Sequence, residues 1–283
     1  MVLDHDGSDL TRRCLQSLRA TDWPSDALSV VLVDNSPSPS TRSASRLAPD
    51  FPDVTVVDAG GNRGFAGGCN LGIAALGAVD YVALLNNDAT VEPGWLEPLV
   101  AALEADPSVG AACPKILFDG SFAELTLQSP TAVPGGGDRR SLGVAVRGVR
   151  LDGQDATRTA QLVDGFWGLQ HDGAGSTYQW TNGDARMRVP ARPDGGLPDC
   201  ALLLSAAEAT TVVATSGDLR TELTVRPEAA WFEVALGGPT VDVINNVGSV
   251  LLDGGYGADR GVLETDHGRY EEVEEVFAWC GAA

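Results

Sequence analysis

The first 120 residues alternate between short apolar runs and amphipathic segments. Three runs are almost wholly apolar and rich in β-branched residues, and each is followed by polar residues: 28–33, 54–57 and 81–85. Continuous runs of this kind are typical of strands with both faces buried in a parallel sheet. The pattern therefore predicts three buried strands in this part of the chain.

The segments between these runs have the periodicity of helices. One helix is predicted from Ser8, which can cap it, to about Ala20, with an apolar face made of Leu10, Cys14, Leu15 and Leu18. Two more are predicted over 68–76 and 93–104, the second with Pro93 in its first turn. Strands that alternate with helices indicate an α/β sheet, and such sheets bind ligands at the carboxyl ends of their strands.

Beyond Gly120 the pattern changes to short segments in which apolar and polar residues alternate. The clearest of these segments are 142–146, 185–189 and 231–236. Turn signals that contain glycine separate them, for example Asp152-Gly153, Asn182-Gly183 and Gly217-Asp218. Short strands at this spacing predict an all-β, sandwich-like domain.

No low-complexity linker borders this β-rich region, so an insertion is expected rather than a tethered neighbour. The predicted organisation is an α/β part over 1–120, the insertion over 121–245 and a return to the α/β part over 246–283. Three tryptophans of the insertion are expected to contribute to its core: Trp167, Trp180 and Trp231.

The charge balance narrows the classes of partner. The chain has 39 acidic and 19 basic residues, a formal net charge of −20. A field of this sign repels phosphate backbones, which argues against a nucleic-acid partner. The five cysteines lack metal or redox spacing, and the sequence has neither a membrane-length apolar run nor a signal-peptide pattern. These features predict a cytoplasmic protein with reduced thiols.

Two groups of residues after the first two apolar runs could carry chemistry. Asp34 follows the run 28–33 and could accept a hydrogen bond from a ligand, although a turn or helix cap would also explain it. Five glycines between 60 and 68 leave backbone amides free for an anion, and Arg63 and Asn70 add donors suited to a diphosphate. A glycine-rich tight turn is the alternative for this second group.

A third group, Asn86-Asn87-Asp88, ends the third run. Asp88 could place a carboxylate oxygen on Mg²⁺ or Mn²⁺, because hard cations take oxygen ligands and leave positions open for a substrate. A single carboxylate is also compatible with a simple turn. Since all three groups follow strands of one sheet, we expect them to meet at one edge.

In this order and at these intervals, the motifs resemble the nucleotide-sugar-binding half of family 2 glycosyltransferases, which have the GT-A fold. The resemblance covers residues 1–120 and rests on five segments, 33–36, 62–73, 84–88, 92–96 and 114–120. The segment 245–283 is similar to the family's continuation. The resemblance implies a Rossmann-like GT-A domain that moves a sugar from a nucleoside diphosphate donor to a glycan or lipid-linked acceptor.

The resemblance also implies roles for individual residues. The implied nucleotide-sugar-binding set is His5, Asp6, Asp34, Asn62, Arg63, Gly67, Asn70, Asn86, Asn87, Cys280 and Gly281. In that set Asp34 contacts the nucleoside and Cys280 lies in the donor-sugar pocket. Asp88 is the implied ligand of a divalent cation, Mg²⁺ or Mn²⁺. Asn86 stands where many members have a carboxylate, so this metal site depends more strongly on the diphosphate.

At the level of the whole protein, the resemblance implies an inverting, hexosyl-type bacterial enzyme of cell-envelope polysaccharide synthesis. It also allows a peripheral contact with the inner membrane surface. Compared with the family, the chain is expected to be truncated at both ends, with the catalytic base beyond Ala283. A catalytic residue is therefore not assigned. The alternative is a non-catalytic carbohydrate-binding protein or an inactive fragment.

Overall fold

The computed structural model describes residues 1–38, 44–173 and 175–279, except for the side chain of Ser45. The chain divides into two compact units. The first comprises Met1–Ile116, Asn246–Arg260 and the chain from Tyr270 onwards, and the second comprises Leu117–Asn245 and Gly261–Arg269. The segment Gly261–Arg269 thus belongs to the β-rich unit, whereas the sequence pattern puts it in the α/β part.

The first unit is built on a parallel four-stranded sheet. Its strands are β1 (Val2–Asp4), β2 (Val30–Asp34), β3 (Val54–Asp58) and β4 (Leu85–Asn86), in the order β3-β2-β1-β4. The expected Rossmann-like parallel sheet is confirmed. Its register pairs Asp4 with Asp34 and Asp34 with Asp58, so three neighbouring strands each end in a carboxylate.

The third apolar run is only partly a strand. The sequence predicts a strand over 81–85, but β4 contains only Leu85 and Asn86, and Tyr81 is 45% exposed. β4 pairs with β1 through Val2 and Leu3 alone. Ala83 accepts a hydrogen bond from the Met1 amino group at 2.8 Å, but residues 81–84 form no strand pairing in the described part of the chain.

The helices described in this unit are α1 (Ser8–Arg19), α2 (Ala44–Leu47), α3 (Gly64–Leu76) and α4 (Leu96–Ala105), with a 3₁₀ turn at Ala48–Asp50. The start of α1 corrects two expectations. Gly7, not Ser8, is the N-cap, and no side chain caps the helix. Leu10 is 45% exposed, and Thr11 is buried on the inner face in its place. The Thr11 hydroxyl is buried because it donates a hydrogen bond to Asp4.

The starts of α3 and α4 also differ from prediction. α3 begins four residues early, at Gly64, with Arg63 as its N-cap. The Asn62 side chain accepts a hydrogen bond from the Gly64 amide at 2.8 Å, which satisfies one amide of the first helical turn. α4 begins only at Leu96. Pro93 lies in the preceding turn, where its carbonyl accepts a hydrogen bond from the Asp22 amide at 2.7 Å.

Four short strands of the described residues lie just before and after the second unit in the chain. β5 (Ile116–Leu117) follows α4, and β16 (Ile244–Asn246) precedes an antiparallel pair formed by β17 (Ser249–Leu251) and β18 (Gly257–Asp259). None of the helices in the described residues has the length and apolar character needed to span a membrane.

The second unit is an antiparallel β structure. Its strands are β6 (Phe122–Gln128), β7 (Val144–Leu151), β8 (Gln154–Asp155), β9 (Gln161–Phe166), β10 (Gln170–His171), β11 (Thr177–Pro190), β12 (Cys200–Ala206), β13 (Thr210–Ser216), β14 (Leu219–Val225) and β15 (Ala230–Val234). The main order is β14-β13-β6-β11-β7-β12-β15. All seven strands contribute to one buried aliphatic cluster, and the terminal strands β14 and β15 contact each other. The sheet therefore folds around a single core, as the sandwich-like prediction requires.

The turn predicted at Asp152-Gly153 is confirmed, whereas the turn predicted at Asn182-Gly183 is wrong. Asp152 and Gly153 both have positive φ, 49° and 78°, and close the hairpin between β7 and β8 as predicted. Asn182-Gly183 is not a turn but lies within β11. A Cβ at Gly183 would come 2.4 Å from Cγ2 of Thr131, so glycine permits a close approach between neighbouring segments there.

The expectation that three tryptophans form the core is wrong. Trp167 and Trp180 are half-buried, and Trp231 is 38% exposed on β15. Arg150 lies over the Trp231 ring, 4.1 Å from its centre. Aliphatic side chains fill the interior between the strands, which leaves these large rings at its margins.

The cysteines differ in how deeply they are buried, and therefore in how readily a reagent can modify their thiols. Cys14 and Cys200 are buried, which raises the pKa of Cys14 to about 12 and that of Cys200 to about 11, because burial disfavours the thiolate. In the folded protein at pH 8, we expect iodoacetamide to alkylate the half-buried Cys113 well before either of them. Peptide mass spectrometry measures the order of labelling. Equal rates at Cys14 and Cys113 would contradict this prediction.

Candidate functional site

The carboxyl edge of the parallel sheet holds a buried carboxylate with an unused acceptor. Asp34, the last residue of β2, is 2% exposed. Its Oδ1 accepts a hydrogen bond from the Ser36 amide at 3.2 Å, but its Oδ2 has no hydrogen-bond partner among the described residues. The buried hydroxyl of Ser36 likewise has none there. Buried polar atoms are nearly always paired, so these two atoms mark a place for a hydrogen-bonding group beyond those that the described residues supply.

Asn35 ties the glycine-rich segment to this edge. Its Oδ1 accepts a hydrogen bond from the Arg63 amide at 2.8 Å. Its Nδ2 lies 3.3 Å from both Oδ1 of Asn62 and the carbonyl oxygen of Gly64. Asn35 is 2% exposed, so these bonds are sheltered from water and fix the start of α3 beside the end of β2.

The polar side chains of this segment lie at the surface around that junction. Nε2 of His5 is 3.2 Å from Nδ2 of Asn62, which brings the residue after β1 against the glycine-rich segment. Asp6 is exposed with a φ of 59°. Arg63 donates from Nε to the Ala59 carbonyl at 2.6 Å. That bond leaves the guanidinium nitrogens of this exposed side chain able to meet an anion.

Glycines let α3 approach the sheet closely. A Cβ at Gly68 would lie 2.3 Å from Cδ1 of Leu3, and one at Gly72 would lie 3.0 Å from Cγ2 of Val33. At Gly67 the nearest atom would be Cβ of Arg63, at 3.1 Å. Asn70 is exposed on the same helix. The small residues thus position the helix N-terminus next to the strand ends, where the positive end of the helix dipole favours negative charge.

Asn86-Asn87-Asp88 follows β4 at the same edge. Nδ2 of Asn87 lies 3.1 Å from Oδ1 of Asp4 and 2.9 Å from Oγ1 of Thr11, so its amide nitrogen is directed into the protein. The carbonyl of Asn86 accepts from the Cys14 thiol at 3.6 Å. Asp88 is exposed. Its carboxylate is therefore the side chain of this trio that is accessible to a cation.

The side chains available as metal ligands show whether a divalent cation fits this edge of the sheet. Within the residues that the structure describes, no group of three histidine, cysteine, aspartate or glutamate side chains could hold a metal ion. Asp88 alone is a single hard oxygen ligand. Mg²⁺ and related ions are commonly held by one or two carboxylates together with substrate phosphates. The residues present fit such an ion only when a diphosphate completes its coordination.

Other candidate residues lie away from this group or outside the described chain. Cys280 and Gly281, expected in the donor-sugar pocket, lie outside the described residues. The chain also has an acidic stretch over 271–275, in which Glu271 forms an ion pair with Lys115 and Glu274 with Arg260. These pairs make a structural role the better account of the acidic stretch.

Two residues of the site, Asp4 and Asn35, were not predicted from the sequence. Both are buried, Asp4 at 0% and Asn35 at 2% exposure. A signal for Asp4 existed, because it ends β1 as Asp34 ends β2 and the two are register partners. Asn35 carries no comparable pattern, since its role depends on which loop lies opposite.

Comparison with known proteins adds the following. The family model described as "Glycosyl transferase family 2" matches residues 5–158. The crystal structure of S. aureus TarS 1-349 is 18% identical, with a TM-score of 0.32, over 43% of this chain and 39% of that one. TarS 1-349 in complex with UDP is 16% identical, with a TM-score of 0.33, over 49% and 42%. The chain thus spans about two fifths of these structures. No curated protein matches the sequence.

Proposed function

This chain belongs to glycosyl transferase family 2, and from that premise we propose that it binds a nucleoside diphosphate sugar and transfers the sugar to an acceptor hydroxyl. The proposal extends to a hexosyl-type transfer with inversion, and to a glycan or lipid-linked acceptor in cell-envelope polysaccharide synthesis. The match of the family model over residues 5–158 supports the class of reaction. The type of sugar, the inversion, the acceptor and the cell-envelope role are proposed from the resemblance of the motifs to the family.

One observation at the site carries the donor-binding part of the proposal. Oδ2 of Asp34 is a buried acceptor at the end of a parallel strand, and it has no partner among the described residues. A nucleoside offers N–H and O–H donors that this oxygen can bind. A hydrogen bond to a charged acceptor contributes about 1.5–3 kcal/mol, so this contact would select a nucleoside over a bare phosphate.

The diphosphate would lie against the start of α3. The chain carries a net charge of −20, so an anion needs local compensation. The positive end of the α3 dipole and the guanidinium of Arg63 would supply that compensation. We propose that His5, Asp6, Asn62, Gly67 and Asn70 line the nucleotide; among them, His5 and Asn62 lie 3.2 Å apart.

A divalent cation, Mg²⁺ or Mn²⁺, is proposed to bind between Asp88 and the diphosphate. When bound, it would stabilise negative charge on the departing diphosphate. The part played by the chain would be to hold Asp88 at the edge of the sheet, where its side chain is exposed. Asn86 and Asn87 fix the backbone on which Asp88 stands.

Calorimetry with UDP and dTDP, each with and without Mn²⁺, tests the proposal. We expect one of the two nucleotides to bind, and Mn²⁺ to strengthen its binding about tenfold or more, because Asp88 would hold the cation and the cation would offset the charge of the diphosphate. Binding of neither nucleotide under any of these conditions would overturn the proposed function. Binding of free oligosaccharides in their place would favour the non-catalytic alternative.

The variant Asp88→Ala identifies the cation ligand. We expect it to remove the strengthening by Mn²⁺, about tenfold, while the affinity without metal stays within about twofold, because Asp88 is exposed and supports no core packing. Glu92→Ala is the matched control, since it removes a second exposed carboxylate four residues later in the chain. If both variants keep the full Mn²⁺ effect, Asp88 is not the ligand.

A further inference from the structure

Three side chains form a closed hydrogen-bonded cluster beneath the loop that carries Asp88. The Thr11 hydroxyl donates to Oδ1 of Asp4. The two N–H bonds of the Asn87 amide reach Oδ1 of Asp4, at 3.1 Å, and Oγ1 of Thr11, at 2.9 Å. The three polar atoms lie within hydrogen-bond distance of one another, and both Asp4 and Thr11 are fully buried.

The cluster joins three elements at one point. Asp4 ends β1, Thr11 lies in the first turns of α1, and Asn87 follows β4. The parallel pairing of β1 with β4 stops at Leu3 and Asn86. From there on, the strand ladder no longer holds the chain.

Past the last pair of the β1–β4 ladder, the Asp4–Thr11–Asn87 cluster holds the chain to the rest of the unit. Beyond it the turn contains a backbone hydrogen bond from the Ala89 amide to the Asn86 carbonyl, at 3.2 Å. The space around the cluster is tight, because a Cβ at Gly7 would lie 2.2 Å from Nδ2 of Asn87. The Asn87 amide is thus held close against the backbone at Gly7 as well as against Asp4 and Thr11.

We propose that Asp4 and Thr11 are positioning residues for the metal site: they hold the Asn87 amide inward and so fix the backbone that presents Asp88 to the cation. The inference rests on the proposed function, since it assigns these buried groups to the cation that accompanies the nucleotide. It also explains why a carboxylate is buried at the end of β1, where a neutral residue would cost less to bury.

The test compares Thr11→Val with Thr11→Ser. Valine has nearly the shape of threonine but neither donates nor accepts, whereas serine keeps the hydroxyl. Thr181→Val is the matched control, because Thr181 is also fully buried and its hydroxyl accepts a hydrogen bond, from the Val144 amide, in the other unit. Two quantities are measured for the full chain: hydrogen exchange of the Ala89 amide, and UDP or dTDP affinity with and without Mn²⁺.

For Thr11→Val we expect exchange of the Ala89 amide to accelerate about fivefold, and the strengthening of nucleotide binding by Mn²⁺ to fall about fivefold, as the loss of two hydrogen bonds predicts. The affinity without metal should stay within about twofold, and Thr11→Ser and Thr181→Val should behave like the wild type.

Two results would overturn the positioning role. One is equal weakening of nucleotide binding with and without Mn²⁺ in Thr11→Val, which marks general structural damage. The other is unchanged Ala89 exchange in that variant. Failure of the proposed function is a separate observation, because the wild-type chain then binds neither nucleotide, with or without Mn²⁺.

Discussion

Replacing Asp34 with asparagine is expected to lower the affinity for the nucleotide that the wild type binds, UDP or dTDP, about 10- to 100-fold. Oδ1 of Asp34 already accepts the Ser36 amide, so the oxygen of an asparagine must keep that place. The new amide group then occupies the position of Oδ2, where a donor now faces the ligand's donor. The loss combines a missing charge-assisted bond with an unpaired buried N–H.

Calorimetry measures this loss, and Asp58→Asn is its matched control. Asp58 ends β3 in register with Asp34, but it is exposed and accepts a hydrogen bond from the Gly60 amide at 2.8 Å. We expect that control to change affinity less than about twofold, because exposed side chains contribute little to a buried contact. Equal losses in the two variants would mean that net charge at the sheet edge, and not the buried acceptor of Asp34, governs binding.

The sequence was informative where structure depends on neighbouring residues in the chain. β2 and β3 lie in continuous apolar runs, and a strand buried on both faces needs such a run. Asp34 could be singled out because a polar residue that ends such a strand lies at the edge where ligands bind. The run 81–85 misled because a strand also needs a partner backbone, and β1 offers only Val2 and Leu3.

The site was less predictable where it depends on residues distant in the chain. Asn87 reads as a polar residue of an exposed turn, yet its amide nitrogen is directed to Asp4 and Thr11. Asn35 positions the glycine-rich segment through bonds to residues about 28 positions later. Neither partner can be inferred from a local pattern, because the partners meet only through the strand order and the packing of α1 and α3.

Arg188, like Asn87 and Asn35, makes contacts that a local sequence pattern does not predict. Alternation along β11 predicts that Arg186 and Arg188 both point outward, away from Ala185 and Met187. The side chain of Arg186 is 61% exposed, but that of Arg188 is only 5% exposed. The segment Gly261–Arg269 belongs to the same unit and accounts for the difference, because it supplies hydrogen-bond acceptors to the Arg188 guanidinium.

Replacing Arg188 with methionine is expected to destabilise the β-rich unit by about 3 kcal/mol. The guanidinium donates to the Leu263 carbonyl at 2.7 Å and to the Thr265 hydroxyl at 2.6 Å. Methionine preserves much of the side-chain volume but donates to neither acceptor. Leu263 also has a φ of 62°, a strained conformation that the surrounding contacts must hold in place.

Urea unfolding measures this destabilisation, with the fluorescence of the tryptophans in the β-rich unit as the signal. Arg186→Met is the matched control, because it makes the same change two residues earlier on β11. Arg186 and Asp164 are both exposed, and their ion pair is 3.7 Å long, so its loss should cost less than about 0.5 kcal/mol. The ion pair of Arg188 with Glu124 adds little to the expected loss, since water screens the Glu124 carboxylate, whose side chain is 56% exposed. Equal destabilisation by both methionine variants would show that the contacts to Leu263 and Thr265 do not anchor the segment Gly261–Arg269, and that positive charge on β11 matters instead.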